Sequence, residues 1–521
     1  MKILVVDFGS QYTHLIYHKT KYYLGHDPKL IDYHDFKPKE NDYSEYEWVV
    51  LSGGPGTIED FQLEMNWTVE KDLEDFNVLG ICFGAQLLAK EQGYNFEKKV
   101  GEYGSTKITF VEDDIEQEVW MSHEDFIVAD PDNKSEMHFV AFNKDDHPVA
   151  WEWFNEKENM RIGVQFHPEV DHTQHGLELL SEIFDDTRRD DIQSEIGNNL
   201  FTQLKTDLNH KIKADDRLFL AISGGVDSST LGKFLSTILN PAQLRFYLVD
   251  NGLMRKNEVQ EVFEVLSKML PKGVLELINA QELFLDSLSG VEDPEKKRKI
   301  IGHAFIDVFS DKIKKSLEEE PLQNGGKSYF VQGTIWPDVI ESGKTKMSKT
   351  IKSHHNVGGL PDDLPCTLLE PFRELYKNDI RMIADLLEIP SEIRNRHPFP
   401  GPGLAIRILG SITKEKVEIV QEADAILRRN LKEKKLENQV WQAGAILLPI
   451  KSVGVKGDNR SYEEVIVLRL VDSNNGMTAS PSLIAIEALV DIGNQIQSQV
   501  KGVNRVVYDL SSKPPATIEW E

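Results

Sequence analysis

The sequence has few cysteines and no long apolar segment. Its 521 residues include two cysteines, Cys82 and Cys366, a number that excludes a disulfide framework, disfavours a structural zinc site and favours a reducing, cytoplasmic compartment. No apolar run approaches the roughly 20 residues that a membrane span needs, and residues 1–7 predict a strand rather than a signal peptide. Internal repeats and low-complexity tracts are also lacking.

Positive charge is scarce as well. The chain carries 59 basic and 86 acidic residues, for a net charge of −27, which disfavours nonspecific binding to nucleic acid or to an anionic membrane. An anionic nucleotide substrate must therefore meet a local basic cluster. The hydrophobic content of 40% and charged content of 28% are ordinary for a globular protein, and the length suits roughly two to four domains.

Short apolar runs alternate with helical stretches along most of the chain, a pattern that predicts an α/β fold. The clearest predicted strands cover residues 3–6, 48–52, 78–81, 162–166, 244–249, 274–278 and 328–332, and a helix is predicted at 258–269. We therefore expect two parallel-sheet α/β domains, over residues 1–188 and 189–396. Prolines and glycines at 397–403 interrupt regular structure. Beyond them, predicted helices at 414–435 and 481–501, mixed with β-type runs, indicate an α+β domain over 397–521.

Small polar residues join a predicted strand at 217–222 to a predicted helix at 231–239. They are Ser223, Gly224, Gly225, Val226, Asp227, Ser228 and Ser229. Glycines let the backbone approach an anion, and the N–H groups and dipole of a helix start favour negative charge. The serine hydroxyls add donors, and Asp227 can reach a metal bound to the anion. The sequence predicts an anion site here, and an ordinary tight turn is the alternative.

Cys82 lies at a sharp turn between a predicted strand and a predicted helix, with Gly80 and Gly84 beside it. This pattern is typical of a nucleophile elbow, and a helix start favours the thiolate form of a cysteine. His167 follows another predicted strand and can act as a base, which Glu169 can orient. An isolated cysteine more often fills space in the apolar core. Because the candidate residues all lie in loops at the ends of predicted strands, however, the pattern favours catalysis.

Two backbone N–H groups are candidates for an oxyanion hole. That of Phe83 follows the cysteine directly, and that of Gly54 lies in the turn Ser-Gly-Gly-Pro-Gly at residues 52–56. This turn, the segment Gly-Ile-Cys-Phe-Gly at 80–84 and the segment Phe-His-Pro-Glu at 166–169 resemble the signatures of class I glutamine amidotransferases.

That resemblance covers about residues 1–185 and implies hydrolysis of the glutamine amide through a thioester. It implies Cys82 as nucleophile, His167 as acid and base, Glu169 as the orienting carboxylate, and Gln86 as a glutamine contact together with main chain near residues 122–123. One position departs from the pattern. Relatives that make a nucleotide usually have glycine where Glu124 stands, and we expect its side chain to crowd or reshape the glutamine loop.

The turn at 223–229 lacks the Gly-Lys-Ser/Thr of a Walker loop and resembles the pyrophosphate loop of ATP pyrophosphatases. The resemblance implies an adenine nucleotide alpha hydrolase-like domain that binds ATP with Mg²⁺, with Asp227 reaching the metal through pyrophosphate. Ligands collect at the carboxyl ends of parallel strands, so we expect adenine against Val249, and Arg255 is a candidate for a substrate phosphate. A lysine-rich segment at 343–359 suits either a solvated loop or a lid that brings Lys352 to the phosphates.

The order of the motifs along the chain restricts the families that the chain can resemble. An amidotransferase and a pyrophosphate loop are followed by Arg-His-Pro-Phe-Pro-Gly-Pro-Gly-Leu at 396–404 and by Lys-Pro-Pro-Ala-Thr-Ile-Glu-Trp-Glu at 513–521. Over essentially the whole chain this resembles glutamine-hydrolysing GMP synthetases. The resemblance implies that ATP adenylylates O2 of XMP, releasing pyrophosphate, and that ammonia then displaces AMP to give GMP.

The same resemblance implies a cytoplasmic homodimer, held by the C-terminal domain, that uses no tightly bound organic cofactor and binds neither nucleic acid nor membrane. Its XMP-binding residues, carried over by motif, are Arg255, Gly401, Gln442, Lys513, Ile518 and Glu519.

Two other functions remain open. A synthetase that amidates a carboxylate or modifies tRNA shares the first two motifs, although the acidic balance disfavours the tRNA version and the C-terminal motif disfavours both. The second alternative is a nucleotide-sensing binding protein without catalysis, against which the intact Cys82, His167 and Glu169 argue.

Overall fold

The computed structural model describes residues 1–56, 58, 65–112, 114–128, 137–185, 192–341, 366–394, 396, 399–456, 458–473 and 478–521. They form two compact units, Met1–Asp207 and Leu208–Glu521. Lys352 and the rest of the lysine-rich segment lie outside the described residues. So do the predicted domain boundaries near residues 188 and 397, and the division into three domains stays a prediction.

The described part of the first unit forms one nine-stranded sheet in the order β2-β1-β3-β4-β9-β8-β7-β5-β6. Its strands are β1 Lys2–Asp7, β2 Asp27–Asp32, β3 Trp48–Leu51, β4 Asn77–Ile81, β5 Asn95–Phe110, β6 Ile115–Val128, β7 His138–Asn143, β8 Pro148–Phe154 and β9 Met160–Val164. Its helices are α1 Thr13–His18, α2 Val69–Asp72, α3 Phe83–Glu91, α4 Gly176–Asp185 and most of α5 Ile192–Lys211.

This sheet confirms the predicted α/β class, and antiparallel strands that the sequence did not predict extend its parallel part. Strands β2, β1, β3, β4 and β9 pair in parallel, and β8, β7, β5 and β6 extend the sheet with antiparallel pairs. Strands β1, β3, β4 and β9 are mostly buried, and their apolar runs show clearly in the sequence, whereas the edge strand β2 is mostly exposed. Strand β5 is largely exposed and polar, so its apolar signal is weak.

The second unit begins with a parallel sheet in the order β12-β11-β10-β13-β14. Its strands are β10 Arg217–Ala221, β11 Leu244–Asp250, β12 Leu275–Asn279, β13 Ser328–Val331 and β14 Thr367–Leu369. The helices between them and after them are α6 Val226–Ile238, α7 Glu258–Met269, α8 Gln281–Ser287, α9 Pro294–Glu319, α10 Trp336–Glu341, α11 Lys377–Leu386 and α12 Ser391–Arg394. Successive strands are added toward one edge of the sheet from β10 to β12 and toward the other edge from β13 to β14, and open α/β sheets bind ligands at such a switch point, here between β10 and β13.

An α+β part completes the second unit. Its strands are β15 Gln442–Lys456, β16 Asn459–Asp472, β17 Ser480–Pro481 and β18 Val503–Tyr508, and its helices are α13 Lys414–Glu433 and α14 Ile486–Gln499. Strand β16 is antiparallel to β15 and β17 and parallel to β18. The predicted helix at 481–501 is wrong at its start, because the chain at 480–481 pairs with β16 before the helix begins.

One apolar core joins the two parts of this unit. It contains Leu253 and Ile301 from the parallel-sheet part together with Leu404, Val420 and Leu468 from the α+β part. A continuous core makes the relative position of the two parts well defined within the unit. No helix of the described ranges has both the length and the hydropathy to cross a membrane.

Candidate active sites

Cys82 occupies a strained turn between β4 and α3. Its backbone has φ 51° and ψ −105°, a conformation that residues with a side chain rarely adopt. Two glycines make the turn possible. A Cβ on Gly84 would lie 2.2 Å from the carbonyl oxygen of Leu51, and a Cβ on Gly80 would lie 2.5 Å from the carbonyl carbon of Gly84. The backbone around the thiol therefore has no space for side chains.

His167 and Glu169 form a buried pair close to this thiol. Nδ1 of His167 lies 2.7 Å from Oε1 of Glu169, and the side chains are 3% and 1% exposed. Burial lowers the pKa of His167, but the Glu169 carboxylate and the side chain of Cys82 outweigh it, so that the pKa stands well above the ordinary 6.5. Because Nδ1 faces the carboxylate, Nε2 is the nitrogen left for proton exchange with the thiol or a substrate.

Glutamine side chains and main-chain carbonyls surround the sulfur. Sγ of Cys82 lies 3.7 Å from the carbonyl oxygen of Ser122 and 3.7 Å from Nε2 of Gln165. Nε2 of Gln86 donates to Oε1 of Gln165 at 3.2 Å and to the carbonyl of Asp125 at 3.5 Å. The predicted Gln86 is thus part of the site, and Gln165 is a neighbour that the sequence analysis missed although it stands two residues before His167.

The turn after β3 packs against the same site. A Cβ on Gly53 would lie 3.3 Å from Cε1 of His167, and one on Gly54 would lie 3.5 Å from Cγ of Phe83. Phe83 begins α3 directly after the cysteine. The structure therefore brings together the segments that carry both predicted oxyanion donors.

Glu124 is engaged at the surface of β6. Its Oε1 accepts a hydrogen bond from the Tyr103 hydroxyl at 2.8 Å, whereas the neighbouring His123 is buried and pairs with Glu102, with 3.4 Å between Nε2 and Oε2. Adjacent residues of a strand point to opposite faces, and the carboxylate of Glu124 lies on the exposed one.

The second site is the loop between β10 and α6. Gly224 has a φ of +74°, and a Cβ there would lie 2.4 Å from Cγ1 of Val262, so both the conformation and the space require glycine. The hydroxyls of Ser223 and Ser228 are 3.0 Å apart. Gly225 precedes the helix as its N-cap, which places Val226, Asp227, Ser228 and Ser229 in the first turn of α6.

A lysine distant in sequence pairs with Asp227. Nζ of Lys377 lies 2.6 Å and 2.7 Å from the two carboxylate oxygens. The sequence analysis missed Lys377 because 150 residues separate the pair, and nothing in its local sequence marks it. It begins α11, which follows β14 at the same edge of the sheet.

Arg396 is a second cation that the sequence analysis did not assign to this loop. Its Nη1 donates to the carbonyl of Ser223 at 3.4 Å, and its Nη2 lies 2.5 Å from Oε1 of Glu258. Its position at the start of the proline- and glycine-rich motif is the sequence feature that could have indicated a role for Arg396. Two cations therefore adjoin a helix start, an arrangement suited to a polyphosphate.

The carboxylates near the loop between β10 and α6 indicate what kind of metal site the protein can form. Mg²⁺ is usually held by one or two carboxylates together with substrate phosphates, and Asp227 offers one carboxylate at the phosphate loop. Among the described residues, no group of three or more His, Cys, Asp or Glu side chains is arranged to hold a metal ion. The residues fit Mg²⁺ that arrives with a polyphosphate, not a preformed metal centre.

Val249 and Arg255 lie at the carboxyl end of β11 and in the loop after it. Val249 belongs to the apolar core. Arg255 is buried, its Nη1 lies 3.0 Å from Oε1 of Glu258, and its guanidinium stacks 4.3 Å from the ring centre of Phe399. Burial lowers the pKa of Arg255 to about 10. A cavity of about 300 Å³ adjoins it, lined also by Asp250, Asn257, Gln281, Lys414 and Gln421.

The C-terminal segment supplies a neighbouring polar cluster. Oε1 and Oε2 of Glu519 lie 2.8 Å and 3.0 Å from Nη2 and Nε of Arg407, and Gln442 also donates to Glu519. The carbonyl of Ile518 accepts from Nε of Arg469 at 3.3 Å. The structure thus brings three of the predicted XMP residues together, around two arginines that the sequence analysis missed.

The remaining predicted XMP residues lie elsewhere. Nε of Arg255 is 3.5 Å from Oδ2 of Asp424, whose Oδ1 is 3.5 Å from Nη1 of Arg407, so one buried carboxylate joins Arg255 to the C-terminal cluster. Gly401 is exposed, and Lys513 pairs through its backbone with Ala479.

Comparisons with known proteins identify the family of the chain. The family "Glutamine amidotransferase class-I" matches residues 4–187, and the family "GMP synthase C terminal domain" matches residues 429–520. A GMP synthase (glutamine-hydrolyzing) of Thermosipho africanus is 41% identical over 100% of this chain and 99% of its own length. The GMP synthase (glutamine-hydrolyzing) of Chlorobaculum tepidum is 41% identical over the same shares.

A solved glutamine amidotransferase of Thermotoga maritima covers 39% of this chain and 90% of its own, at 21% identity and a TM-score of 0.27. The two full-length relatives, at 41% identity over 100% of the chain, show the family. The chain belongs to the family of glutamine-hydrolysing GMP synthases.

Proposed function

We propose that this protein makes GMP from XMP, with ATP as activator and with ammonia released from glutamine. The observation that carries the proposal is the presence, in one chain, of a buried Cys82–His167–Glu169 cluster and of a phosphate-type loop flanked by cations. The full-length relatives bear the name of this activity.

In the first half-reaction the sulfur of Cys82 attacks the side-chain amide carbon of glutamine. The oxyanion that forms accepts hydrogen bonds from the N–H groups of Gly54 and Phe83. His167, held by Glu169, gives a proton to the departing nitrogen, so that ammonia leaves and a thioester remains. The same imidazole then takes a proton from water, which releases glutamate and restores the thiol. Gln86 contacts the bound glutamine.

In the second half-reaction O2 of XMP attacks the α-phosphorus of ATP. Pyrophosphate leaves and an adenyl-XMP intermediate forms. Ammonia then adds at C2 and AMP departs with the oxygen, which leaves the amino group of GMP. Activation is needed because an amide-like ring oxygen is a poor leaving group, whereas AMP is a good one.

The loop after β10 is assigned to pyrophosphate. Its binding residues are Ser223, Gly224, Gly225, Val226, Asp227, Ser228 and Ser229, with Lys377 as an added cation. Mg²⁺ bound to ATP would neutralise phosphate charge, and Asp227 would hold it there. Lys377 must then exchange its carboxylate partner for a phosphate or for the metal-bound complex. Val249 is assigned to adenine and Lys352 to the phosphates.

The assigned XMP residues are Arg255, Gly401, Gln442, Lys513, Ile518 and Glu519. A cavity of about 300 Å³ supports the assignment of Arg255, the one residue of this set that lines it, since ligand pockets begin near this size. The lowered pKa of Arg255 supports it as well, because a buried guanidinium gains from an added phosphate charge.

We also propose a cytoplasmic homodimer. Apolar side chains of the α+β part are more than half exposed, and a second copy can cover them. They are Val453, Val455, Tyr462, Leu483, Ile486 and Val490. Light scattering after gel filtration tests this proposal: twice the mass of 59.4 kDa is expected, and a single-chain mass contradicts it.

An ultraviolet assay tests the activity itself. XMP and GMP absorb differently, so a mixture of enzyme, XMP, ATP, Mg²⁺ and glutamine should change its spectrum with time, and omission of ATP should stop the change. A flat spectrum would instead favour a nucleotide-binding protein, and turnover of glutamine and ATP without change in XMP would favour amidation of a carboxylate.

A further inference from the structure

Lys297 is fully buried in the first turn of α9, with its side chain 0% exposed. The helix begins at Pro294, after the N-cap Asp293. Burial of an ammonium group is costly, and the start of a helix adds to this cost because its dipole repels positive charge. A lysine at this position therefore needs strong acceptors.

The structure supplies three acceptors, all from the last part of the chain. Nζ of Lys297 lies 2.7 Å from the carbonyl oxygen of Ile408, 3.3 Å from that of Ala405 and 2.5 Å from Oε2 of Glu521. An ammonium group has three protons, and each has a partner here. Burial lowers the pKa of Lys297, and the hydrogen bond and charge of Glu521 oppose this shift.

Arg298, the next residue of the helix, binds the main chain of Glu521. Nη2 of Arg298 donates to the carbonyl oxygen of Glu521 at 2.6 Å, and Nη1 lies 3.0 Å from Oε1 of Glu295. Consecutive residues of α9 thus fix both the side chain and the backbone of Glu521.

Other cations hold the segment just before it. Arg469 donates to the carbonyls of Thr517 and Ile518 at 3.1 Å and 3.3 Å, and Arg407 binds Glu519. Glu519 and Glu521 thus both pair with buried cations, while Trp520 between them is 40% exposed.

We propose that Lys297 and Arg298 are positioning residues for XMP. They anchor Glu521, and this anchor holds Ile518 and Glu519 in place at the nucleotide. The inference deepens the proposed function and rests on it. Neither residue is among the described residues that line the small pocket of the C-terminal cluster, which are Arg407, Gln442, Gly444, Ile446, Arg469, Val471, Ile518 and Glu519.

The anchor has a functional consequence because α9 belongs to the parallel-sheet part, which also carries the phosphate loop. A residue of that part therefore helps to set the affinity for XMP, although it does not line the small pocket of the C-terminal cluster. Loss of the anchor should loosen the segment at 518–521 and weaken XMP binding, with little effect on ATP binding or on the chemical step.

Steady-state kinetics of the full-length protein test this, with ammonia as nitrogen donor so that the glutamine site plays no part. Lys297→Met removes the ammonium group, and Glu521→Gln removes its partner's charge while keeping its shape. A hydrogen bond to a charged group contributes about 1.5–3 kcal/mol, so each variant should raise KM for XMP about 10- to 100-fold. We expect kcat and KM for ATP to stay within about twofold.

Lys312→Met is the matched control. Lys312 lies in the same helix and pairs with Glu276, far along α9 from the anchor, so its loss should leave every constant unchanged. Glu521→Gln keeps the test decisive if Lys297→Met does not fold, since Lys297 then still has both backbone acceptors.

The outcomes are distinct. A rise in KM for XMP in Glu521→Gln, absent from Lys312→Met, supports the anchor. If the wild-type enzyme is active and Glu521→Gln keeps the wild-type KM for XMP, the anchor proposal is wrong. A fall in kcat with unchanged KM for XMP in Glu521→Gln also contradicts the anchor. A wild-type protein that does not aminate XMP at all contradicts the proposed function instead.

Discussion

At the scale of single residues, the chain concentrates strain and buried charge at positions that the proposed chemistry uses. Cys82 holds a backbone conformation that most residues avoid, and the His167–Glu169 pair is almost without solvent. Such features cost stability and persist where the surrounding structure enforces them. They mark the thiol cluster as a built site rather than as ordinary packing.

Cys82→Ala should separate the two activities. Without the sulfur no thioester forms, so glutamine-dependent GMP synthesis should fall at least about 10³-fold. Synthesis from added ammonium chloride should remain largely intact, because the ATP and XMP groups are unchanged. Parallel assays with the two nitrogen donors give the answer, and loss of both activities would contradict separate sites.

Glu169→Gln should destabilise the protein by an amount that depends on pH, because it removes the carboxylate of the buried His167–Glu169 ion pair. The pKa of His167 is raised in the folded protein, so the pair's contribution to stability is complete below about pH 6.5, the value for an unfolded histidine, and is lost as the pH rises through the folded-state pKa. The variant should therefore lose about 3 kcal/mol at low pH and less at high pH. Unfolding measured for both proteins at pH 6 and in alkaline buffer tests this, and an equal loss at both pH values would exclude the charged pair.

At the scale of elements, both sites are strand–turn–helix units in which glycine fixes the turn. The packing of α3 against β3 and β4 leaves no room at Gly84, and the loop before α6 leaves none at Gly224. The sequence showed these turns because glycine and apolar runs are local signals. Lys377 had no such signal, since only the folded arrangement of the sheet and its helices brings it to the loop, and Arg396 was marked only by its place at the start of the motif at 396–404.

Gly84→Ala tests how tightly the elbow is built. The new Cβ would lie 2.2 Å from a backbone oxygen, so the helix or the strand must move, at a cost of about 3 kcal/mol together with loss of glutamine hydrolysis. Gly493→Ala in α14 is the matched control, because its Cβ would meet only Val506, at 3.7 Å, and alanine favours helix by about 1 kcal/mol. Scanning calorimetry should show opposite shifts, and a tolerated Gly84→Ala would refute the close packing.

Asp227→Ala and Lys377→Met test the phosphate loop. Each removes a charged group from the proposed pyrophosphate site, so GMP synthesis should fall about a hundredfold or more with either nitrogen donor. Lys233→Met, in the same helix as Asp227 but bonded to the carbonyl of Met269, should be nearly neutral. Full activity of Asp227→Ala with ammonia would remove this loop from the mechanism.

At the scale of the whole molecule, the sequence predicted the α/β class and the strand ends that carry the thiol cluster and the loop. It predicted α7 at its observed bounds, because the apolar face of that helix is regular. It missed the antiparallel extension of the first sheet, whose strands are partly exposed, and it placed the start of α14 too early. The sequence did not predict the burial of three cations, Arg407, Arg469 and Lys297, because burial of a charge depends on partners far away in sequence.

The central claim is that nitrogen from glutamine reaches a purine at the expense of an ATP that is cleaved to AMP. The direct test is a reaction with glutamine labelled with ¹⁵N in its side-chain amide, followed by mass spectrometry of the nucleotides. We expect labelled GMP, with one AMP and one pyrophosphate formed for each GMP. Unlabelled nucleotide products, or ADP and phosphate in place of AMP and pyrophosphate, would contradict it.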